Sequence, residues 1–269
     1  MLHGCAPFWR PDEQAVRNYV SEEALKRYFD ALISKYEALS EVFDSDVLTV
    51  DDSTIGAARA CVLARESGHR VTIFINPAQI ARQRPYWFSR FDAILDERRL
   101  NKITFEGREF DLRPGTTLRV FRQVVKDSLM SLPEAETDGL LDELALRLKA
   151  KEAAVPEHAR TLSLDTLHNL IERGVEIGSH GWDHRDIISM KPEEIVEDLR
   201  LAKKWFQQCL GLRPSHYAIP YGLAPLVGCA VQEVTGMMLL ANPKLQIGNL
   251  GYGHWNRRDI STTLQGRPV

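Results

Sequence analysis

The chain has few cysteines, no tract of a single charge and no long apolar run. Its four cysteines (Cys5, Cys61, Cys209 and Cys229) are scattered without a CxxC pair, so we expect reduced thiols in a cytosolic protein. The net charge of −3 and the lack of a basic tract argue against a nucleic-acid or membrane surface. No window approaches the roughly 18 consecutive apolar residues that a transmembrane helix needs.

The first residues, MLHGCAPFWRPDEQ, also lack a charged head followed by an apolar stretch. A secretory signal is therefore not expected, and the sequence predicts a cytoplasmic protein. What is present is ordinary for a globular protein: 44% hydrophobic and 26% charged residues in a chain of 269 residues, enough for a sizeable core.

Strand and helix patterns alternate along the chain, which predicts an α/β fold. Residues 21–39 form an amphipathic helix capped by Ser21, in an N-terminal extension over residues 1–44. A strand–helix–strand unit over residues 47–76 opens the main domain, which spans residues 45–269. The same rhythm resumes after residue 160, and its last strand is predicted over residues 257–262.

Residues 77–158 interrupt this rhythm and are predicted to be an insertion, mostly helical and rich in charge. Helices are predicted over 87–100, 116–132 and 139–154, with a hairpin that turns at Glu106–Gly107.

Three short motifs fall where strands end: Asp51–Asp52, His180 to His184, and residues 218–222. In a parallel barrel the carboxyl ends of the strands gather on one face, so these distant groups can converge.

His180 and His184 are four residues apart, a spacing that places two imidazoles on one face of a helical turn. On spacing alone a polar turn is the favoured interpretation of the pair, but its position after a strand strengthens the case for metal binding. Asp183 and Asp186 either orient the imidazoles or are helix-start carboxylates. With a carboxylate from the first motif, the set suits one divalent ion, Zn²⁺ above all, with Co²⁺, Ni²⁺ or Mn²⁺ as alternatives.

The paired carboxylates fit such a site. One can bind the cation while the other accepts a proton from a water molecule at that cation. The competing interpretation is a helix N-cap, in which Ser53 caps the following helix.

The order of the motifs resembles the polysaccharide deacetylase family (the NodB-homology, or carbohydrate esterase 4, group). The family's T-F-D-D matches residues 49–52, its H-S/T-x-x-H matches residues 180–184, and its shorter A-x-P-Y-G form matches residues 218–222. The resemblance covers roughly residues 45–75 and 160–262. It implies a distorted (β/α) barrel of about seven parallel strands.

The resemblance also implies roles for single residues. Asp51 would be the general base, and Asp52, His180 and His184 the metal ligands. The backbone amide of Tyr221 would stabilise the oxyanion.

The sequence departs from the family at four places. Ser53 replaces a usual Gly, Gly181 replaces Ser or Thr, and Ala218 replaces the arginine of the fuller third motif. The late motif that carries the general acid has no clean match; His254 is either that acid or a surface-loop histidine.

Substrate contacts are expected from Trp182, Pro220, Tyr221 and Gly222. Trp182 could stack on a sugar ring, although packing of the turn is the favoured interpretation.

The resemblance implies metal-dependent removal of acetyl groups from an N-acetylated sugar, nucleotide-linked, lipid-linked or free, for a surface glycan such as O-antigen or for an aminoglycoside-like metabolite. The insertion would roof the barrel mouth and favour a small or terminal substrate. Hydrolysis of a non-sugar linear or cyclic amide, or a catalytically silent glycan-binding protein, remain the alternatives.

Overall fold

The fold is described by a computed structural model. It describes residues 5–6, 20–32, 48–130, 132–150, 154–222, 238–241 and 255–256. The strands are β1 (Cys5–Ala6), β2 (Val20–Ser21), β3 (Leu48–Asp51), β4 (Val71–Ile75), β5 (Lys102–Phe105), β6 (Arg108–Asp111), β7 (Glu176–Ser179), β8 (His216–Ala218), β9 (Met238–Ala241) and β10 (Trp255–Asn256). The α-helices are α1 (Glu22–Ala31), α2 (Ile55–Glu66), α3 (Pro77–Arg82), α4 (Trp87–Glu97), α5 (Leu118–Met130), α6 (Glu134–Arg147), α7 (Leu164–Glu172) and α8 (Pro192–Trp205).

A six-stranded parallel sheet, in the order β10-β9-β8-β7-β4-β3, forms the centre of the fold. Every residue of β3 and β4 is buried, as expected for parallel strands covered on both faces. The sheet curls into part of a barrel, and the predicted α/β distorted-barrel class is confirmed. Its last described strand lies at Trp255–Asn256, while the strand predicted over 257–262 lies outside the described residues.

The register of the sheet brings the strand ends together. Asp51 of β3 pairs with Phe74, and Ile75 of β4 pairs with Ser179 of β7. Ser179 in turn pairs with Tyr217 of β8. The residues that follow these strands therefore meet at one edge of the sheet, as the sequence predicted.

The helix after β3 is capped by Thr54, whose side chain accepts a hydrogen bond from the Ala57 amide at 3.0 Å. The prediction that Ser53 caps this helix is wrong. The Ser53 hydroxyl instead accepts a hydrogen bond from the Asn76 amide at 2.8 Å, so it joins the ends of β3 and β4.

Helix α1 is capped by Ser21, as predicted, and buries Leu25 and Phe29 in the first core cluster, which β3, β4, α2 and α7 also build. The buried His69 lies with Nε2 3.1 Å from the Phe29 carbonyl and so ties this helix to the end of α2. The helix ends at Ala31, and the rest of the predicted helix, residues 33–39, lies outside the described residues.

Helices α4 to α6 and the hairpin β5–β6 share a second cluster, called here the insertion cluster, made of residues between 91 and 150. The hairpin turns at Glu106–Gly107 as predicted, and both residues have positive φ. The domain boundaries at residues 44/45 and 77–158 stay predictions. In the described part of the chain, no helix is both long and apolar enough to cross a membrane.

Candidate metal centre

The three predicted metal ligands, Asp52, His180 and His184, converge at the strand edge. All three are buried, and one potential ligand atom from each lies within 4.8 Å of the other two. Oδ1 of Asp52 lies 3.2 Å from Nε2 of His184 and 3.9 Å from Nε2 of His180. One carboxylate oxygen and two imidazole nitrogens thus face a common point.

His180 follows β7 directly, and its ring is fixed by the neighbouring strand. Its Nδ1 lies 2.8 Å from the backbone carbonyl of Ala218 in β8. Because a carbonyl can only accept, Nδ1 carries the proton and Nε2 presents a lone pair to the site. Metal-binding imidazoles in proteins are usually oriented in this way, and for His180 the partner is a backbone carbonyl. The orienting role of Asp183 and Asp186 stays a prediction.

The segment from His180 to His184 is a loop and not a helical turn, which corrects the geometric basis of the spacing argument. Gly181 and His184 have φ of 81° and 63°, and Asp52 has φ of 77°. Positive φ is uncommon outside glycine, although Asp and His adopt it more readily than most residues. Such backbone strain, of about 1–3 kcal/mol per residue, tends to occur at functional sites.

Asp198 of α8 accepts hydrogen bonds from the backbone of this loop. Its Oδ2 accepts a hydrogen bond from the Trp182 amide at 2.9 Å, and its carboxylate also accepts one from the Asp183 amide. Burial and the nearby Asp183 raise the pKa of Asp198 to about 7. A methyl group at Gly181 would lie 3.2 Å from this Oδ2 and 3.3 Å from the Tyr217 hydroxyl oxygen, so the loop passes too closely here for a side chain.

The side chain of Trp182 is half-buried and packs against the first core cluster. Its carbonyl accepts a hydrogen bond from the Ala78 amide at 2.9 Å.

The third motif forms a short turn over Pro220–Gly222, directly after β8. Tyr221 has φ of 61°, and its ring meets the His184 ring edge-on with 4.7 Å between centroids. Burial, helped by Asp52 and other carboxylates, raises the pKa of Tyr221 far above its usual value, although a hydrogen bond from Trp87 opposes the shift. The phenol is therefore neutral.

Asp51 is the last residue of β3 and is 2% exposed, next to Asp52. Its role as general base stays a prediction. His254, the predicted acid, lies outside the described residues.

Sequence reasoning missed four residues that contact the site: Asn76, Tyr86, Trp87 and Phe88. The run of three aromatic residues after Pro85 is a signal that could have found most of them. Asn76 follows β4 at the same edge as the motifs, and its amide donates a hydrogen bond to the His180 carbonyl.

A cleft with a cavity volume of about 70 Å³ opens beside the centre. His184, Tyr221 and Trp87 line its inner end. Residues at the end of α5 and the start of α6 also line the cleft: Leu129, Met130, Leu132, Thr137 and Asp138. Nζ of Lys126 in α5 lies 5.8 Å from the centre of the Tyr221 ring, so α5 approaches the third motif.

The residues present fit a divalent metal ion. The donors are one carboxylate and two imidazoles, one of which has its proton fixed on the far nitrogen. Three protein ligands of this kind are the usual catalytic zinc set, which leaves one position open. The chemistry of the Asp-His-His set is thus suited to holding a divalent ion.

Comparison with known families supports the same site. The family described as polysaccharide deacetylase matches residues 144–239, a segment that contains His180, His184 and Tyr221. Asp51 and Asp52 lie outside that segment, and the fold brings Asp52 to the two histidines.

Three solved structures share the fold. The deacetylase PplD of Streptococcus pyogenes, solved with acetate, is 12% identical with a TM-score of 0.54, over 90% of this chain and 81% of that protein. IcaB of Ammonifex degensii is 13% identical with a TM-score of 0.54, over 98% and 95% of the two chains. A polysaccharide deacetylase of Bacillus cereus is 10% identical with a TM-score of 0.53, over 98% and 67%.

At such identities the likeness to solved structures concerns the fold alone. The family match over residues 144–239 agrees with the resemblance predicted from the three motifs: this segment is similar to the polysaccharide deacetylases, and the chain shares the fold of solved deacetylases.

Proposed function

We propose that the protein is a metal-dependent deacetylase that hydrolyses the N-acetyl group of a carbohydrate. The observation that carries this proposal is the convergence of Asp52, His180 and His184, with Tyr221 against His184. The buried Asp51 directly precedes Asp52 in the chain. This arrangement holds the parts that amide hydrolysis needs: a cation site, a carboxylate base and a backbone donor for the oxyanion.

Asp52, His180 and His184 would hold the ion, which we propose is Zn²⁺ because the donors are nitrogen and oxygen without thiolate; Co²⁺, Ni²⁺ and Mn²⁺ are the alternatives. When bound, such an ion supplies a Lewis acid and lowers the pKa of water to about 7.

The chain's own groups perform the proton transfers. Asp51 takes a proton from the attacking water, whose oxygen forms a bond to the acetyl carbon. The Tyr221 amide donates a hydrogen bond to the carbonyl oxygen as it becomes negative. The C–N bond then breaks as an acid, for which His254 is the candidate, gives a proton to the leaving nitrogen, so the products are acetate and a free amine.

The cleft favours a small or terminal substrate over the middle of a long polymer. The end of α5 and the start of α6 line it, together with His184 and Tyr221. A free, nucleotide-linked or lipid-linked N-acetyl sugar, such as a precursor of O-antigen or another surface glycan, would enter the cleft end-on. Trp182, Pro220 and Gly222 are the further residues that we propose near this substrate.

Metal analysis combined with an acetate-release assay tests the function. We expect one divalent ion per chain and acetate release from at least one of a panel of N-acetylglucosamine, its oligosaccharides and its nucleotide-linked form. Asp52→Asn and His180→Ala should lose both the ion and the turnover. The matched controls are Asp165→Asn and His168→Ala, at exposed positions of α7, which should lose neither. A metal-replete, fully active Asp52→Asn protein would refute the proposal.

A further inference from the structure

Three consecutive aromatic residues at the start of α4 all contact residues of the candidate centre. They are Tyr86, Trp87 and Phe88, called here the aromatic strap. They lie inside the predicted insertion, which the family motifs do not include. None of them belongs to the site predicted from the sequence.

Tyr86 joins the segments that carry the metal ligands. Its hydroxyl, on a side chain that is 1% exposed, accepts a hydrogen bond from the Ser53 amide at 2.7 Å and donates one to Oδ1 of Asn76 at 2.8 Å. The Asn76 side-chain amide in turn donates to the carbonyl of His180. One phenol hydroxyl therefore links the residue after Asp52 with the backbone of His180.

The rings of Tyr86 and Phe88 pack against His184. Tyr86 and Phe88 stack on each other, with centroids 4.8 Å apart and planes 13° apart. Both rings meet the His184 imidazole edge-on, with centroids at 5.3 Å and 5.6 Å. His184 has no strand to hold it, since it lies in a loop with positive φ, so these contacts restrict the direction of its ring.

Trp87 contacts the third motif, residues 218–222. Its Nε1 donates a hydrogen bond to the hydroxyl of Tyr221 at 2.9 Å. The Tyr221 ring packs against His184 from another side, and its backbone has φ of 61°. The Tyr221 side chain is therefore restrained by the His184 ring and by the hydrogen bond from Trp87.

We infer that the aromatic strap positions the groups of the centre, and that its residues have two different roles. Tyr86 and Phe88 set the spacing and ring direction of the metal ligands, and Trp87 sets the position of the Tyr221 amide. The inference rests on the proposed metal site. It assigns to the insertion a part in building the centre, beyond that of a wall for the substrate cleft.

Cobalt binding tests the first half of the inference without any substrate. The visible spectrum of bound Co²⁺ depends on ligand geometry, so it reports positioning directly. In Tyr86→Phe and Phe88→Leu we expect the affinity for Co²⁺ to fall about tenfold or more, in the range known for partners that orient metal ligands, and the spectrum to change. Tyr28→Phe, in α1, is the matched control and should keep both the affinity and the spectrum.

Acetate binding to the Co²⁺-loaded protein tests the second half. Acetate is a product of the proposed reaction, and its binding should perturb the same spectrum. Trp87→Phe should leave the Co²⁺ affinity unchanged and weaken acetate binding about fivefold. A factor of about five corresponds to the loss of one hydrogen bond, here the one that the Tyr221 amide would donate to the acetate. Trp205→Phe, at the end of α8, is the control and should change neither quantity.

The outcomes separate the two proposals. If the wild-type chain binds Co²⁺ but Tyr86→Phe and Phe88→Leu keep its affinity and spectrum, the strap does not position the ligands, while the proposed function stands. If the wild-type chain binds no Co²⁺, the metal site itself is wrong and the inference falls with it. Phe88→Leu decides the case if Tyr86→Phe does not fold, because Phe88 is only half-buried.

Discussion

Nε2 of His184 lies 3.2 Å from Oδ1 of Asp52, in a buried site that joins the end of the first main strand to a loop far along the chain. His180 adds a second nitrogen whose proton is fixed on the opposite side of its ring. A cation that accepts all three donors would balance the buried carboxylate, and most of the expected behaviour of the protein depends on it.

Metal removal should lower the stability of the wild-type protein. An ion that binds only the folded state, at a free concentration of about 100 times its dissociation constant, adds about 2.7 kcal/mol to the free energy of unfolding. We expect a chelator to remove this increment in urea titrations. In His184→Ala the chelator should have little effect, because the variant lacks one of the three proposed ligands. Loss of a group that only orients a metal ligand already weakens metal binding by up to about 100-fold, so loss of a ligand should weaken it by at least that much. A chelator effect of equal size in both proteins would contradict this prediction.

Gly181→Ala should destabilise the protein by about 1–2 kcal/mol, because an alanine at φ of 81° is strained and its methyl group would lie 3.2 Å from Oδ2 of Asp198. The matched control is Gly139→Ala in α6, where nothing lies within 4 Å of the added methyl group. That change should stabilise the protein by about 0.5–1 kcal/mol. Denaturant unfolding of the two variants measures both effects, and equal shifts in the same direction would count against the described loop.

The stability of the protein should depend on pH through Asp198. Burial and Asp183 raise the pKa of Asp198 to about 7 in the folded state, whereas an unfolded Asp titrates near 3.9. A raised folded pKa gives a stabilising contribution that is complete below about pH 4 and is lost as the pH rises through 7.

Asp198→Asn keeps an oxygen that accepts the Trp182 amide but removes the titration. We therefore expect the variant to gain stability relative to the wild type between pH 5 and pH 8, as measured by urea unfolding at each pH. Asp165→Asn, at an exposed position, should show no such trend. A difference between wild type and Asp198→Asn that is the same at every pH would refute the assignment.

Substitutions of Trp182 distinguish a role in packing from a role in substrate binding. Its half-buried side chain packs against the first core cluster, so Trp182→Ala should cost about 2 kcal/mol of stability, less than the 3–5 kcal/mol of a fully buried tryptophan. If packing is its main role, Trp182→Phe should recover most of that stability, and KM for an active sugar should stay within about twofold of the wild type. A large rise in KM for Trp182→Phe with unchanged stability would instead favour stacking on a sugar.

The sequence predicts the sheet and the three metal ligands because both depend on local patterns. Apolar runs mark the buried strands, and polar motifs at their ends must meet on one edge of a parallel sheet. Ser21 as a cap and the turn at Glu106–Gly107 are equally local and are confirmed.

The errors and omissions all come from contacts between distant residues. The Ser53 hydroxyl accepts a hydrogen bond from the Asn76 amide, a contact that joins the ends of two strands, while Thr54 caps the helix. The loop that carries His184 is held by Asp198 and by the aromatic strap, neither of which a spacing of four residues reveals. Spacing singled out the two histidines that the fold brings to Asp52, although the helical turn from which it was argued is not there.

Anomalous diffraction from crystals soaked in Zn²⁺ tests the central claim most directly. The account predicts one strong zinc peak in contact with Oδ1 of Asp52 and the Nε2 atoms of His180 and His184. An occupied zinc site elsewhere with nothing at this position, or crystals in which these three side chains lie apart, would contradict it.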